Sequence, residues 1–125
     1  KDISIFACGH LVWKAIEAGK ILKEKGIDAE IINIHTIKPL DVQAIVDSAR
    51  KTGAVVTAEE HQINGGMGSL VAQALAMHCP TPIEFVGVND SFGESGTPDQ
   101  LMKKYGLESE NIIAAVKKVL QRKSV

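Results

Sequence analysis

The chain of 125 residues contains 45% hydrophobic and 23% charged residues, and its formal net charge is −1. This composition is typical of a globular protein with a hydrophobic core, and the balanced charge gives no electrostatic case for nucleic-acid binding. No apolar run approaches the ~20 residues of a membrane span, no signal-peptide pattern is present, and the cysteines Cys8 and Cys79 favour a reducing, cytoplasmic compartment over a disulfide framework.

The first half of the chain predicts two strand–helix units. Residues 3–8 are apolar at nearly every position, as expected of a strand buried on both faces. Residues 11–25 carry apolar side chains at helical spacing, and the glycine that follows ends the helix. Residues 29–34 predict a second strand, and Asp41 is the predicted N-cap of a helix that Gly53 ends. The predicted buried stripes are Val12, Ala15, Ile16, Gly19 and Leu22 in the first helix and Val42, Ile45, Val46 and Ala49 in the second.

The second half of the chain predicts two further strands and three helices. The strands are residues 54–58 and 83–88, and the helix between them starts near Gly66–Ser69 and runs to about His78. Thr97 predicts a short helix that ends at Gly106, because its hydroxyl can cap a helix with Pro at N1 and Gln at N3. The last helix begins near residue 109. Its predicted buried residues are Ile112, Ile113, Val116, Val119 and Leu120.

This alternation predicts an α/β fold of three layers, with a mostly parallel sheet and helices on both of its faces. No repeat or internal linker interrupts the pattern, so we expect residues 1–125 to form a single domain. The start at Lys1 favours either an excised domain or a trimmed subunit. Ligand and partner surfaces of such sheets lie beyond the carboxyl ends of the strands. The residues predicted at that edge are Gly9–His10, His35–Thr36, Glu59–Glu60–His61 and Asn89–Asp90.

The edge after the third strand is the richest in polar groups. Glu59 and Glu60 are adjacent, so on an extended chain they point to opposite faces and cannot form one acid/base pair. One of them could accept hydrogen bonds from the glycine-rich turn, and the other could face a neighbouring chain. That turn, with Gly65, Gly66, Gly68 and Ser69, opens a helix whose amides could bind an anion; the alternative is that its glycines allow tight packing or an interface.

No self-sufficient active site emerges from the residues. A metal site built from His10, His35, His61 and an acid is disfavoured because none of the usual histidine spacings is present. Cys8 lies in an apolar run and is predicted to be a small buried hydrophobe. Ser69 lacks the G-x-S-x-G frame of a serine nucleophile.

Four motifs in order resemble one family. They are HTIKPLD (residues 35–41), TAEEHQINGGMGS (57–69), VGVNDSFGESGTPDQL (86–101) and KKYGLESENI (103–112). Together they resemble the C-terminal domain of transketolase, above all that of split enzymes whose C-terminal half is a separate polypeptide. Deoxyxylulose-phosphate synthase and the β-subunit of 2-oxo-acid dehydrogenases have similar domains, but residues 37–41 and 94–98 favour transketolase.

The resemblance implies a transferase of the pentose phosphate pathway that moves two-carbon ketol units between sugar phosphates. It implies thiamine diphosphate, Mg²⁺ and a dimer, with the cofactor held by the N-terminal domains or subunit. The metal-binding motif and the activating acid of those domains are absent here, so we expect no catalytic, cofactor-binding or metal-binding residue on this chain, which alone would be inactive.

The family motifs also carry an expected contact surface. Lys38, Asp41, Glu59, Glu60 and His61 match them by position and are expected on or near the contact with the pyrimidine-binding domain. The run Cys8–Gly9–His10 departs from the small polar residue that relatives often carry after this glycine. The alternative function is a regulatory module that holds a phosphorylated metabolite at the glycine-rich turn.

Overall fold

The structure is a computed structural model that describes residues 2–34, 40–62, 66–88 and 108–123. Its four strands are β1 (Ile3–Ala7), β2 (Ala29–Asn33), β3 (Val55–Gln62) and β4 (Ile83–Val88), and its four described helices are α1 (Leu11–Glu24), α2 (Val42–Thr52), α3 (Met67–His78) and α4 (Ser109–Arg122). The strands pair in parallel in the order β2-β1-β3-β4. The predicted α/β fold is therefore confirmed, whereas the short helix predicted after Thr97 lies outside the described residues.

Helices cover both faces of the sheet, as the sequence predicts. On one face Ile3, Ile5 and Ala7 pack against α1 and α4, and on the other Phe6 and Val55 pack against α2 and α3. The alternation of side chains along β1 divides its residues between these two cores. Burial of β1 on both faces explains why nearly every one of its positions is apolar.

The buried stripe of α1 is rotated relative to the prediction. Its fully buried residues are Leu11, Ala15, Ala18 and Leu22, whereas Val12, Ile16 and Gly19 are only partly buried. The small alanines let α1 pack closely on the sheet and on α4. Val42 of α2 and Ile113 and Leu120 of α4 are likewise partly rather than fully buried.

The helix ends follow the predicted chemistry. The Asp41 carboxylate accepts a hydrogen bond from the Ala44 amide at 3.1 Å, and Gly53 ends α2 in the left-handed conformation with φ 76°. α3 begins at Met67 after Gly66, close to the predicted position. α4 begins with a capping box in which Glu108 and Asn111 each bind the other's backbone amide.

β3 is longer than predicted, which changes the position of the acidic residues. It does not end at Ala58 but continues to Gln62, four residues beyond its last pairing with β1. Its pairing with β4 is irregular between Ala58 and Gln62, as in a β-bulge. Glu59 and Glu60 therefore belong to the strand, and the alternation of side chains along it directs them to two different helices.

Candidate functional site

Glu59 lies on the α2/α3 face of the sheet and holds the beginning of α3. Its side chain is 1% exposed, and its two oxygens accept hydrogen bonds from the amides of Met67 at 2.8 Å and Gly68 at 2.6 Å. α3 has no capping side chain of its own and no acid in its first turn. Glu59 thus supplies from β3 the cap that the local sequence lacks.

The close approach of α3 to the sheet explains the glycine at position 68. A β-carbon at Gly68 would lie 2.7 Å from Glu59 Oε2, 2.8 Å from Thr57 Oγ1 and 3.0 Å from Phe85 Cδ1. Distances this short leave no room for a side chain. Of the two interpretations of the glycine-rich turn, the described geometry supports packing, because the amides of Met67 and Gly68 already bind a carboxylate of the same chain.

Glu60 points to the opposite face and holds the beginning of α1. Its Oε1 accepts a hydrogen bond from the His10 amide at 2.5 Å and lies 3.1 Å from His10 Nδ1. α1, like α3, has no side-chain cap of its own and no acid in its first turn. Gly9 adopts φ 63°, and a β-carbon there would lie 2.9 Å from Glu60 Oε1.

Glu59 and Glu60, called here the acidic pair, therefore cap two helices on opposite faces of the sheet. The N-terminus of a helix carries partial positive charge from its unpaired amides, so a carboxylate stabilises it. The prediction that the two side chains diverge is confirmed, as is the prediction that one accepts hydrogen bonds from the glycine-turn amides. The sequence did not reveal the partner of Glu60. One feature of the sequence could have indicated this partner. The segment that forms α1 follows a glycine and has no acid in its first turn, so its amides need an acceptor from elsewhere in the chain.

Cys8 lies beside the acidic pair at the end of β1. It is half-buried rather than fully buried as predicted. Burial, together with the negative charges of Glu59 and Glu60, raises the pKa of its thiol to about 11. The thiol is therefore protonated at neutral pH, which suits a packing residue and not a nucleophile.

The other predicted site residues divide into two groups. Asp41 caps α2, and Gly66, Gly68 and Ser69 lie at the start of α3 above Glu59. Lys38, Gly65, His35 and the side chain of His61 lie outside the described residues. Within residues 2–34, 40–62, 66–88 and 108–123, no group of three or more His, Cys, Asp or Glu side chains could hold a metal ion. Among the helices of these ranges, none has the length and hydropathy of a membrane-spanning segment.

The fold and this site define a parallel α/β domain in which Glu59 and Glu60, at the carboxyl edge of the sheet, bind the beginnings of α3 and α1. The family model of the transketolase C-terminal domain matches residues 1–112. The chain belongs to the transketolase C-terminal domain family, as its motifs predicted.

The relatives agree with this assignment. The chain is 46% identical over 123 residues to the 6-deoxy-6-sulfo-D-fructose transketolase subunit SqwH of Clostridium sp. (strain MSTE9), and this match covers 98% of the chain and 38% of that protein. It is 40% identical over 124 residues to a 1-deoxy-D-xylulose-5-phosphate synthase of Geobacter sulfurreducens, covering 98% of the chain and 20% of that protein. The match to the Geobacter protein agrees with the similarity of the motifs to the C-terminal domain of deoxyxylulose-phosphate synthase.

The structure is also similar to a solved one, described as a split gene transketolase in an inactive beta4 tetramer. The two share 50% sequence identity with a TM-score of 0.95, over 99% of this chain and 41% of the other. The chain thus spans less than half the length of these relatives.

Proposed function

We propose that this chain is the C-terminal section of a thiamine-diphosphate transketolase, in which it supports assembly while other domains perform the two-carbon transfer. Three observations support the proposal: membership of the family, relatives named as transketolase subunits, and edge acids that are engaged in capping. In this proposal residues 1–125 form one domain, and the complete enzyme is a cytoplasmic homodimer with N-terminal thiamine-binding domains or subunits.

The observation that carries the proposal is the engagement of the acidic pair. A general acid or base must reach the proton that it transfers. Glu59 is 1% exposed and uses both carboxylate oxygens to bind backbone amides. Glu60 is held by the backbone and the ring of His10. Because both carboxylates already bind backbone amides of their own chain, these contacts support a structural role for the acidic pair.

The start of α3, the helix start that the sequence singles out for anion binding, does not fit the diphosphate of the cofactor. A diphosphate at the start of α3 would have to displace the buried Glu59 from Met67 and Gly68. The same contacts argue against the alternative of a regulatory module that holds a phosphorylated metabolite at this turn.

The substrate is proposed only as a class, sugar phosphates. Relatives of comparable identity bear names with different substrates, since a 39% identical subunit from Phocaeicola vulgatus is named for apulose-4-phosphate. A second candidate, the C-terminal domain of a deoxyxylulose-phosphate synthase, is favoured by the 40% identity to the Geobacter protein. We infer that residues outside this domain select the substrate.

Calorimetry on the chain alone, and then on its complex with the thiamine-binding section, tests the proposal. Thiamine diphosphate with Mg²⁺ should give no heat of binding with the chain alone and should bind to the complex. The complex should then transfer ketol units between sugar phosphates. Micromolar binding to the chain alone would contradict the proposal, and a complex that forms 1-deoxy-D-xylulose 5-phosphate but transfers no ketol units would favour the second candidate.

A further inference from the structure

In the described part of the chain, β4 has a neighbouring strand on one side only, because the sheet order ends with it. Five of its six residues are apolar or glycine, and Glu84 is the only charged one. Such an edge exposes a row of backbone groups to which another chain can add a strand. The low net charge of −1 provides little general repulsion between copies of the chain, so any protection of this edge has to be local.

The register of β3 and β4 shows which backbone groups of β4 point away from the sheet. Val55 of β3 pairs with Ile83, and the Val55 amide donates a hydrogen bond to the Pro82 carbonyl at 3.0 Å. In a parallel ladder the backbone groups of successive residues point alternately to the two sides of a strand. Pro82 and Glu84 therefore direct their backbone groups toward β3. Ile83 and Phe85 direct theirs toward the free edge.

A guanidinium group occupies the first acceptor on this edge. Arg122, in the last turn of α4, donates a hydrogen bond from Nη1 to the Ile83 carbonyl at 2.9 Å. The same nitrogen binds the carboxylate of Glu84, whose side chain points to the α4 face of the sheet. Arg122 therefore reaches from the α4 face to the edge of the sheet and places its charged end beside the start of β4.

The Glu84 carboxylate holds the guanidinium in this position. The Glu84 side chain is only 18% exposed, and its Oε1 lies 3.6 Å from Nζ of Lys118. Arg122 is half-exposed, so its hydrogen bond to Ile83 and its ion pair with Glu84 order the end of a side chain that solvent alone would not order. A strand that paired with the start of β4 would have to displace this group from the Ile83 carbonyl.

We propose that Arg122 closes the free edge of β4 against strand addition by a second copy of the chain. A second copy is the partner that an open edge would accept, because two identical edges can pair about a two-fold axis. Charged residues on edge strands commonly prevent such pairing, and here the adjacent helix supplies the charge. This role does not depend on the activity of the complete enzyme.

Arg122→Leu and Arg50→Leu are matched variants for testing this role. Both arginines are exposed in the last turn of a helix, so each replacement removes one positive charge from an equivalent place. Size exclusion with light scattering, over a concentration series, should show the same assembly state for Arg50→Leu and the unmodified chain, and a larger assembly for Arg122→Leu. In that assembly, hydrogen exchange of the Phe85 amide should slow by about tenfold or more, because the added strand accepts from it.

A proline on the same edge provides a second, independent variant. Gly87 lies two residues after Phe85, so its amide also points to the free edge and makes no bond within the ladder. Proline is therefore tolerated at this position, and it offers no amide to an added strand. Adding Gly87→Pro to Arg122→Leu should return the chain to the assembly state of the unmodified protein.

Equal assembly states of Arg122→Leu and Arg50→Leu would overturn the proposal. A larger assembly with unchanged exchange of the Phe85 amide would also overturn it, because association would then use another surface. Precipitation of Arg122→Leu that Gly87→Pro relieves would support the role of the edge. Precipitation that Gly87→Pro does not relieve would contradict that role, since its cause would be a loss of folding.

Discussion

Replacing Glu59 with Gln removes the charge at the start of α3 while preserving the volume of the side chain. The carboxylate is 1% exposed and receives hydrogen bonds from the Met67 and Gly68 amides at 2.8 and 2.6 Å. Gln retains one acceptor oxygen, so one of these amides would face an NH₂ group instead. A buried donor is then left opposite another donor, with no access to bulk water.

The expected loss of stability follows from these two contacts. A hydrogen bond to a charged group contributes about 1.5–3 kcal/mol, and an unsatisfied buried donor costs a similar amount. We therefore expect Glu59→Gln to lower the free energy of unfolding by about 2–3 kcal/mol. For a domain of this size, that loss lowers Tm by roughly 10 °C.

Urea unfolding followed by far-UV circular dichroism measures this loss, with Glu60→Gln as the matched control. Glu60 is 35% exposed, and Gln at this position can still accept from the His10 amide, so its effect should be about 1 kcal/mol or less. Equal stability of the two variants within about 0.5 kcal/mol would refute the reasoning, because that value is near the smallest difference that urea unfolding resolves.

Three further substitutions or conditions test the description of the fold. Gly68→Ala should lower the free energy of unfolding by about 1–3 kcal/mol, since the added methyl meets Glu59, Thr57 and Phe85 at 3.0 Å or less; unchanged urea stability would contradict the close packing of α3. Hydrogen bonds from Lys51 and Ser48 lower the pKa of Glu30 below 4.5, so the ionised Glu30 carboxylate stabilises the fold above that pH, and this stabilisation is lost as the pH falls through the lowered pKa. Between pH 5 and pH 3, the Glu30→Gln variant should therefore lose less stability than the unmodified chain. Parallel losses in the two proteins would argue against the hydrogen bonds from Lys51 and Ser48. The Cys8 thiol, with its pKa of about 11, should react with iodoacetamide at pH 8 far more slowly in the folded chain than in the urea-unfolded chain. The Cys79→Ser variant removes the other free thiol from this measurement, and equal rates would contradict the protonated, half-buried state of Cys8.

Much of the fold could be predicted because its signals are local. Each signal determines the structure of the residues next to it in the chain. The apolar runs form β1 and β2, Asp41 caps α2, and Gly53 ends it. The divergence of Glu59 and Glu60 follows from the two-residue period of a strand, so it too was accessible from the sequence.

The length of β3 could not be predicted because the interactions that stabilise it are distant. Glu59–Glu60–His61 looks like a polar loop when only its neighbours are considered. Its acids are tolerated in a strand because they bind the amides of α1 and α3, and the Glu60–His10 contact spans 50 positions of the chain. The rotation of the α1 stripe has a similar origin, because contacts with β2 and α4 select which apolar arc is buried.

The most direct test of the central claim, that the acidic pair serves the fold and not the chemistry, is the kcat of the complete enzyme carrying Glu60→Gln. With cofactor occupancy and assembly verified on the same sample, kcat should remain within about twofold of the unmodified enzyme. Loss of a general acid or base typically lowers the rate by about 10²–10⁴-fold. A fall of that size in a fully assembled, cofactor-loaded enzyme would contradict the account.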